Sequence, residues 1–480
     1  MIVPRLKSLG SGPVPVLVQV LILVLFRVHG QVEAAQDAPD FTKVNAAMAK
    51  FTTATPGCAV AATVNGKSMI SKAWGMADLE HDVPNTPETI FEAGSVSKQF
   101  TAAAVALLAR DGKLSLADPV RKYVPELPDY GVPLTIEHML RHQSGLRDWG
   151  SLEAIAGWPR GTRAYTHDHV LEIASRQMAL NFTPGAAYSY SNTGYNLAAI
   201  IVSRVSGVPF AEFTRQRIFE PLGMKNTSWR DDFRRVVKGR AIAYARAGAG
   251  YRQDMPFEYV HGNGGLLTTV GDLLVWNANF ASPRVGDAAF VKQQETARAF
   301  NDGTPGEYGL GLFLTPYKGQ REIGHSGSTA GYRAHLLRNP DIGTSVAVLC
   351  NAADGNATQV AHLVDEAIAP GAFRESAFAP VGPRDPWLVK EAPKPAWADY
   401  VGTFVSEEIE TTLTGALRAN GVFVLKRRPA DEILLAMTPA PDVFTAGALG
   451  EVTFHRDRNG RVTSLSVKQD RVWNLVFERR

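Results

Sequence analysis

Two apolar runs separated by most of the chain constrain its fold more than any other feature. Cys58-Ala59-Val60-Ala61-Ala62-Thr63-Val64 and Ser345-Val346-Ala347-Val348-Leu349-Cys350 both read as strands. Asn65-Gly66 follows the first and suits a two-residue type I′ turn into Ser68–Ala73, so that run opens a hairpin. Between the runs the pattern is mostly helical. Ile136–His142, Asp168–Met178, Tyr195–Val205 and Phe210–Phe219 are expected helices, and Thr269-x-x-Asp272 reads as a capping box opening one through Phe280. The chain then returns to strands at Leu310–Pro316, Arg321–Ile323 and Ala334–Arg338, and Val360–Ala369 closes the region as a helix. Strands at both ends and helices between them imply one sheet assembled from distant segments. The class is α/β or α+β; periodicity leaves the strand order open.

Length and charge bound the rest. A chain of 480 residues, 45% hydrophobic, suggests two or three domains with substantial cores. A net charge of +3 without a basic run points away from nucleic acid. Arg5 and Lys7, an apolar stretch from Val14 to Phe26, and small residues at Gly30, Ala34 and Ala35 follow the order of a secretory signal. Residues 1–34 are therefore expected to be a signal peptide and the mature protein to be secreted or periplasmic, with no membrane span. Pro370, Pro380, Pro383, Pro386, Pro393 and Pro395 mark 371–395 as a semi-rigid linker after a domain at 35–370. Beyond it, 396–480 carries eight short alternating segments with hairpin turns at Asn420-Gly421 and Asn459-Gly460, the pattern of an up-and-down barrel and an accessory domain.

Three short motifs carry chemistry. Ser95-x-x-Lys98 sits at an expected helix start, one turn apart on one face, where an amine can take the serine proton and the helix N-terminus favours alkoxide character. The following Thr101–Leu108 is apolar or small, and Gly112 after Asp111 ends the helix. Tyr190-x-Asn192 puts a phenol and an amide on one side of an extended segment. A cation such as Lys98 beside that phenol would lower its pKa and make it a base, while Asn192 would hold the lysine and the substrate. Gly324-His325-Ser326-Gly327-Ser328 ends a strand, with glycines that admit close backbone approach. The Ser328 and Ser95 backbone N–H groups are candidates for an oxyanion hole. Neither His167-Asp168-His169 nor His138/His142 has the glutamate of a zinc motif, so no metal and no cofactor are expected.

Taken in order, Ser95-x-x-Lys98, Tyr190-x-Asn192 and His325-x-Gly327 resemble the penicillin-recognising serine hydrolases. Tyr-x-Asn looks like the class C β-lactamase branch, and His-x-Gly like its esterase and D-aminopeptidase relatives. Leu134–Leu146 and Gly262-Asn263-Gly264-Gly265-Leu266 add to the likeness, which covers about residues 45–370; the C-terminal block looks like a lipocalin-like barrel. The resemblance implies a five-stranded antiparallel sheet flanked by helices, plus a helical subdomain with Ser95 between the two. It also places the first strand beside the last, which would bring Cys58 near Cys350 and makes a disulfide a hypothesis. By this resemblance Ser95, Lys98 and Tyr190 are catalytic, and Asn192, His325, Gly327 and Ser328 bind substrate or oxyanion. Histidine in place of lysine at 325 favours an ester or D-amino-acid amides and peptides over a β-lactam. β-Lactamase or DD-carboxypeptidase activity is the alternative. A non-hydrolysing penicillin or peptidoglycan sensor is the reading from another class.

Overall fold

The computed structural model describes residues 38–374, 396–427 and 431–480. The expected signal peptide and most of the expected linker lie outside them. After helix α1 (Thr42–Met48) come strands β1 (Cys58–Val64) and β2 (Lys67–Trp74). They are joined by Asn65 and Gly66, both with positive φ (49° and 77°), as a type I′ turn demands. Helices α2 (Lys98–Arg110), α3 (Asn192–Ser206) and α4 (Val270–Ala281) belong to the long insertion. The chain then returns as β3 (Ile323–Thr329), β4 (Tyr332–Asn339), β5 (Thr344–Cys350) and helix α5 (Ala357–Ile368). The sheet order is β3-β4-β5-β1-β2, antiparallel throughout.

Helices cover both faces of this sheet. Val44, Val360 and Val364 pack on one face against Val60, Val346 and Val348. Phe100, Trp276 and Leu336 belong to the core on the other. α2 is buried all round, every residue from Lys98 to Leu108, which is why its sequence is apolar or small on every side. No single helix among the described residues is long and apolar enough to cross a membrane.

Several elements depart from the sequence expectation. Leu310–Pro316 is not a strand but an irregular segment along the open edge of β3, where Phe313 bridges Gly324. Its positive-φ Gly311 approaches the Lys98 carbonyl so closely that a methyl group would stand 2.6 Å from it, a constraint that breaks a regular ladder. The helix at Phe210 does not stop before Pro221 but widens into a π-turn at Arg215–Phe219 and ends at Leu222. Thr269 caps α4 by accepting from the Asp272 N–H at 3.1 Å.

The C-terminal block is a nearly closed nine-strand barrel rather than eight. The expected strand Ile433–Met437 accounts for the difference. It is divided at Leu435 into Glu432–Leu434, paired with Phe423–Lys426, and Ala436–Met437, paired with Val443–Thr445. The same stretch thus forms both edges of the sheet, which is how the barrel nearly closes on itself. Trp149, Leu152 and Ile155 of the insertion share one apolar cluster with Phe404, Leu425 and Phe477 of the barrel.

β1 pairs with β5 so that Cys58 stands directly opposite Cys350, and their sulfurs are joined at 2.08 Å across a sequence separation of 292. The denatured, non-reduced protein should therefore titrate no free thiol, and two after reduction. Replacing both cysteines by serine should lower stability by about 2–4 kcal/mol, read as the urea midpoint. Two free thiols before reduction would overturn the pairing.

Candidate active site

Ser95 lies in a tight 3-10 turn, Gly94–Ser97, that feeds directly into α2. One turn on, the Lys98 amine is fully buried and lies 3.2 Å from Ser95 Oγ. It also donates to Asn192 Oδ1 at 2.8 Å and to the Asn263 carbonyl at 2.7 Å. Burial pushes its pKa well below the ordinary lysine value; Asp148 opposes that shift, while Arg471 and Arg160 add to it. Its three hydrogen-bond partners are all neutral oxygens, so none of them compensates the charge of an ammonium.

The Tyr190-x-Asn192 segment enters from the insertion. Asn192 is the first residue of α3, and its backbone N–H donates to Asp148 Oδ2 at 2.7 Å. His142, at φ 58°, grips the same segment from both sides. Its carbonyl accepts from Ser189 N at 3.0 Å, its Nδ1 accepts from Ser191 N at 3.1 Å, and its ring stands 4.2 Å from that of Tyr190. Tyr190 is hydrogen-bonded to Ser95, and its ring lies 4.8 Å from Lys98 Nζ. The expected lowering of the phenol pKa is not found. Burial raises it, and the Ser95 hydrogen bond and the Arg471 charge oppose that rise without reversing it. Burial thus disfavours the charged form of both groups, the ammonium of Lys98 and the phenolate of Tyr190.

β3 supplies the opposite wall. A two-residue turn links it to β4, with Thr329 paired to Tyr332. The alternate residues Gly324, Ser326 and Ser328 then aim their N–H groups at the open edge. Gly324 does so visibly, donating to the Phe313 carbonyl at 3.1 Å. Ser328 N faces the Ser95 turn. A methyl group on Gly94 would stand 2.6 Å from it, and one on Gly327 would stand 2.0 Å from the Ala93 carbonyl and 3.1 Å from Ser95 N. Only glycine at both positions lets the two backbones meet, bringing the N–H groups of Ser95 and Ser328 to one pocket.

His325 is buried rather than an exposed turn residue, and burial first, then Lys98, pushes its pKa down to about 3. Its Nδ1 lies 2.5 Å from the Ser326 carbonyl and its Nε2 3.0 Å from Tyr308 Oη. A carbonyl only accepts, so Nδ1 carries the proton and Nε2 accepts from Tyr308. The imidazole is a neutral wall of the cleft with both nitrogens engaged. His138 and His142 form no i,i+4 pair on one helix, because the helix ends at Leu140.

These groups open into a cleft of about 600 Å³. Arg160 and Arg471 line it too, and no sequence pattern pointed to either. Arg160 is neutralised by buried Glu258, its Nε donating at 3.1 Å. Arg471 comes from the barrel, at the turn between Val462–Gln469 and Val472–Arg479. Its carbonyl accepts from Asp148 N at 3.2 Å and Asn181 Nδ2 at 3.1 Å, while its guanidinium lies 4.8 Å over the Tyr190 ring. Among the described residues no carboxylate pairs with it. Asp148 also escaped the sequence reading, since a lone aspartate before a helix is an ordinary cap. Asn263 lay within the quoted Gly262–Leu266 stretch, but nothing local said that its carbonyl would serve Lys98.

Residues 42–369 match the Beta-lactamase family. The chain is 29% identical over 297 residues to a D-aminopeptidase of Gluconobacter oxydans, covering 62% of this chain and 56% of that protein. It is 30% identical over 311 residues to a D-aminopeptidase of Brucella canis, covering 64% and 58%. It thus spans little more than half the length of these curated relatives. An octameric penicillin-binding protein homologue from Pyrococcus abyssi has a similar structure, with a TM-score of 0.62 at 25% identity over 92% of this chain and 100% of that one. With a serine and a buried lysine on one helix, a Tyr-x-Asn segment beside them, and a family match across most of the chain, this protein belongs to the β-lactamase family.

Proposed function

We propose that this protein is an exported serine hydrolase that acts through an acyl-enzyme on esters or on D-amino-acid amides and peptides. The observation that carries the proposal is the buried Lys98 amine at 3.2 Å from Ser95 Oγ, with only neutral hydrogen-bond partners and a pKa that burial pushes well below the ordinary lysine value. Ser95 Oγ attacks the substrate carbonyl as its proton passes to Lys98 Nζ. The oxyanion lies between the N–H groups of Ser95 and Ser328. Collapse expels the alkoxide or amine, which takes the proton relayed through Tyr190. Water then attacks the acyl ester, gives a proton back along the same groups, and releases the acid and Ser95. D-Aminopeptidases among the relatives support the amide and peptide class. The leader-like N-terminus supports export.

A second reading concerns the leaving group. The neutral imidazole of His325 gives no fixed cation where the penicillin-binding branch carries lysine, but Arg471 brings to the same cleft a guanidinium with no carboxylate partner among the described residues. A cation–π contact supplies about 1 kcal/mol and uses none of the five guanidinium donors. A substrate carboxylate would use two of them in a bidentate pair. This favours cleavage next to a residue with a free carboxyl group, as in a DD-carboxypeptidase.

Steady-state hydrolysis of p-nitrophenyl acetate and D-alanyl p-nitroanilide is the direct test. Multiple turnovers are expected, and one stoichiometric burst without turnover would instead mark a sensor. Ser95→Ala should abolish turnover with an unchanged circular-dichroism spectrum. Lys98→Arg should lower kcat/KM by about 10²–10⁴-fold, since a guanidinium cannot give up its proton. In the unaltered protein kcat/KM should fall as pH drops through the Lys98 pKa, which lies well below the usual lysine value. An activity of Lys98→Arg near the starting level would sink the mechanism. Arg471→Ala should raise KM by about tenfold or more for peptides with a free C-terminal carboxylate and leave KM for neutral esters unchanged. Equal effects on both classes would remove the second reading.

A further inference from the structure

Behind the edge strand that lines the cleft, three residues converge that the proposed mechanism does not use. Glu322 immediately precedes β3. His335 lies in the middle of β4, paired in register with Ser326, and His362 lies on α5. One ligand-type atom from each falls within 4.8 Å of the other two. His362 Nε2 stands 2.9 Å from Glu322 Oε2, and His335 Nε2 stands 3.9 Å from Glu322 Oε1.

The state of His335 is the telling feature. Its side chain is only 8% exposed, and its Nε2 has no hydrogen-bond partner among the described residues although it points at the other two groups. A buried, unpartnered ring nitrogen costs about 1–3 kcal/mol unless something binds it. Its Nδ1, by contrast, is 3.0 Å from Thr358 Oγ1. With the Nδ1 proton given to that hydroxyl, the Nε2 lone pair is presented inward, the arrangement that orients metal-bound histidines. The His362 ring is braced as well, stacked 3.7 Å from Tyr317, whose hydroxyl donates to Glu366 at 2.8 Å.

We propose that Glu322, His335 and His362 form a binding site for a zinc-type divalent cation. Two imidazole nitrogens and one carboxylate are a donor set for Zn²⁺, with a further position open to water. Tetrahedral zinc with bonds of about 2.0–2.2 Å sets its ligands about 3.4 Å apart, so separations of up to 4.8 Å have to close by up to about 1.4 Å. Glu322, on the segment before β3, is the group that has to move, and the partial exposure of Glu322 and His362 (15% and 19%) gives the ion a path from solvent. The bound ion would tie the segment before β3, the centre of β4 and the middle of α5 together, one strand behind Gly327 and Ser328. It would act as a clip on the wall of the cleft and take no part in the reaction.

Zinc titration of the untagged full chain, stripped with a chelator and dialysed, tests this by calorimetry and thermal melting. One ion per chain and a raised Tm are expected. Outer-shell changes alone weaken metal sites by about 10–100-fold, so His362→Ala and Glu322→Gln should each weaken binding at least that much and lose the Tm rise. Both side chains are partly exposed, so these variants test the site without emptying the core, as His335→Ala would. Ser95→Ala should bind like the unaltered protein. Three results would overturn the proposal: no binding at about 100 µM Zn²⁺, binding unchanged in both variants, or binding lost instead with Asp78→Asn and His81→Ala in the exposed Asp78, Glu80, His81 cluster.

Discussion

The Lys98 amine sits at the first turn of α2 without access to water, and everything around it has to satisfy its donors or leave a charge stranded in the interior. An isolated buried ammonium costs so much that a lysine gives up its proton instead. The surroundings of Lys98 are built for that outcome. Its partners are neutral, a serine hydroxyl, an amide oxygen and a backbone carbonyl. Where the same core buries a group that stays charged, it supplies carboxylates, as with Arg230, which donates to Glu92 at 2.8 Å and also meets Glu258. The contrast separates a site that keeps a cation from one that removes it. It pushes the pKa of an ordinary residue type well below its usual value.

Satisfying that amine requires segments far apart in the chain. Lys98 belongs to α2, Asn192 to α3, and Asn263 to the loop before α4, with Asn196 Nδ2 bonded to Asn263 Oδ1 at 2.8 Å. The sheet then presses β3 against the Ser95 turn, through glycines that remove every side-chain atom from the contact. None of these elements can shift alone without breaking a buried polar contact. Such networks are costly when half satisfied and stiff when complete.

Hydrogen bonds and an ion pair add to the shared apolar cluster in docking the barrel on this arrangement. Arg147 pairs with Glu408 at 2.7 Å and donates to the Asn474 carbonyl at 3.2 Å, and Arg427 donates to the Ile155 carbonyl at 3.0 Å. At the 470–471 turn the carbonyls do the holding, which leaves the Arg471 side chain to face the cleft. An accessory barrel with no catalytic pattern of its own therefore contributes a charge to the cleft. Its sequence shows only alternation, because the barrel core consumes every regular signal and a turn arginine is an unremarkable residue.

The strands, the hairpin at Asn65-Gly66, the buried helix after Ser95 and the order of the three motifs were legible because each depends on local periodicity or turn chemistry. Leu310–Pro316 was misread because its apolar pattern reflects burial beside α2 and not a ladder, and the barrel count was off because one strand serves two edges. Asp148, Asn263, His142 and Arg471 were invisible as site residues for a common reason: each acts through a backbone group or a charge whose target is remote in sequence. The sequence alone determined which side chains are the candidates for the chemistry, since the order of three motifs singles out a hydroxyl, an amine and a phenol that no one motif would. Only the tertiary structure decided their protonation and the charge of the cleft. Both depend on how much water the packed elements exclude and on which distant carboxylates and guanidinium groups they bring near.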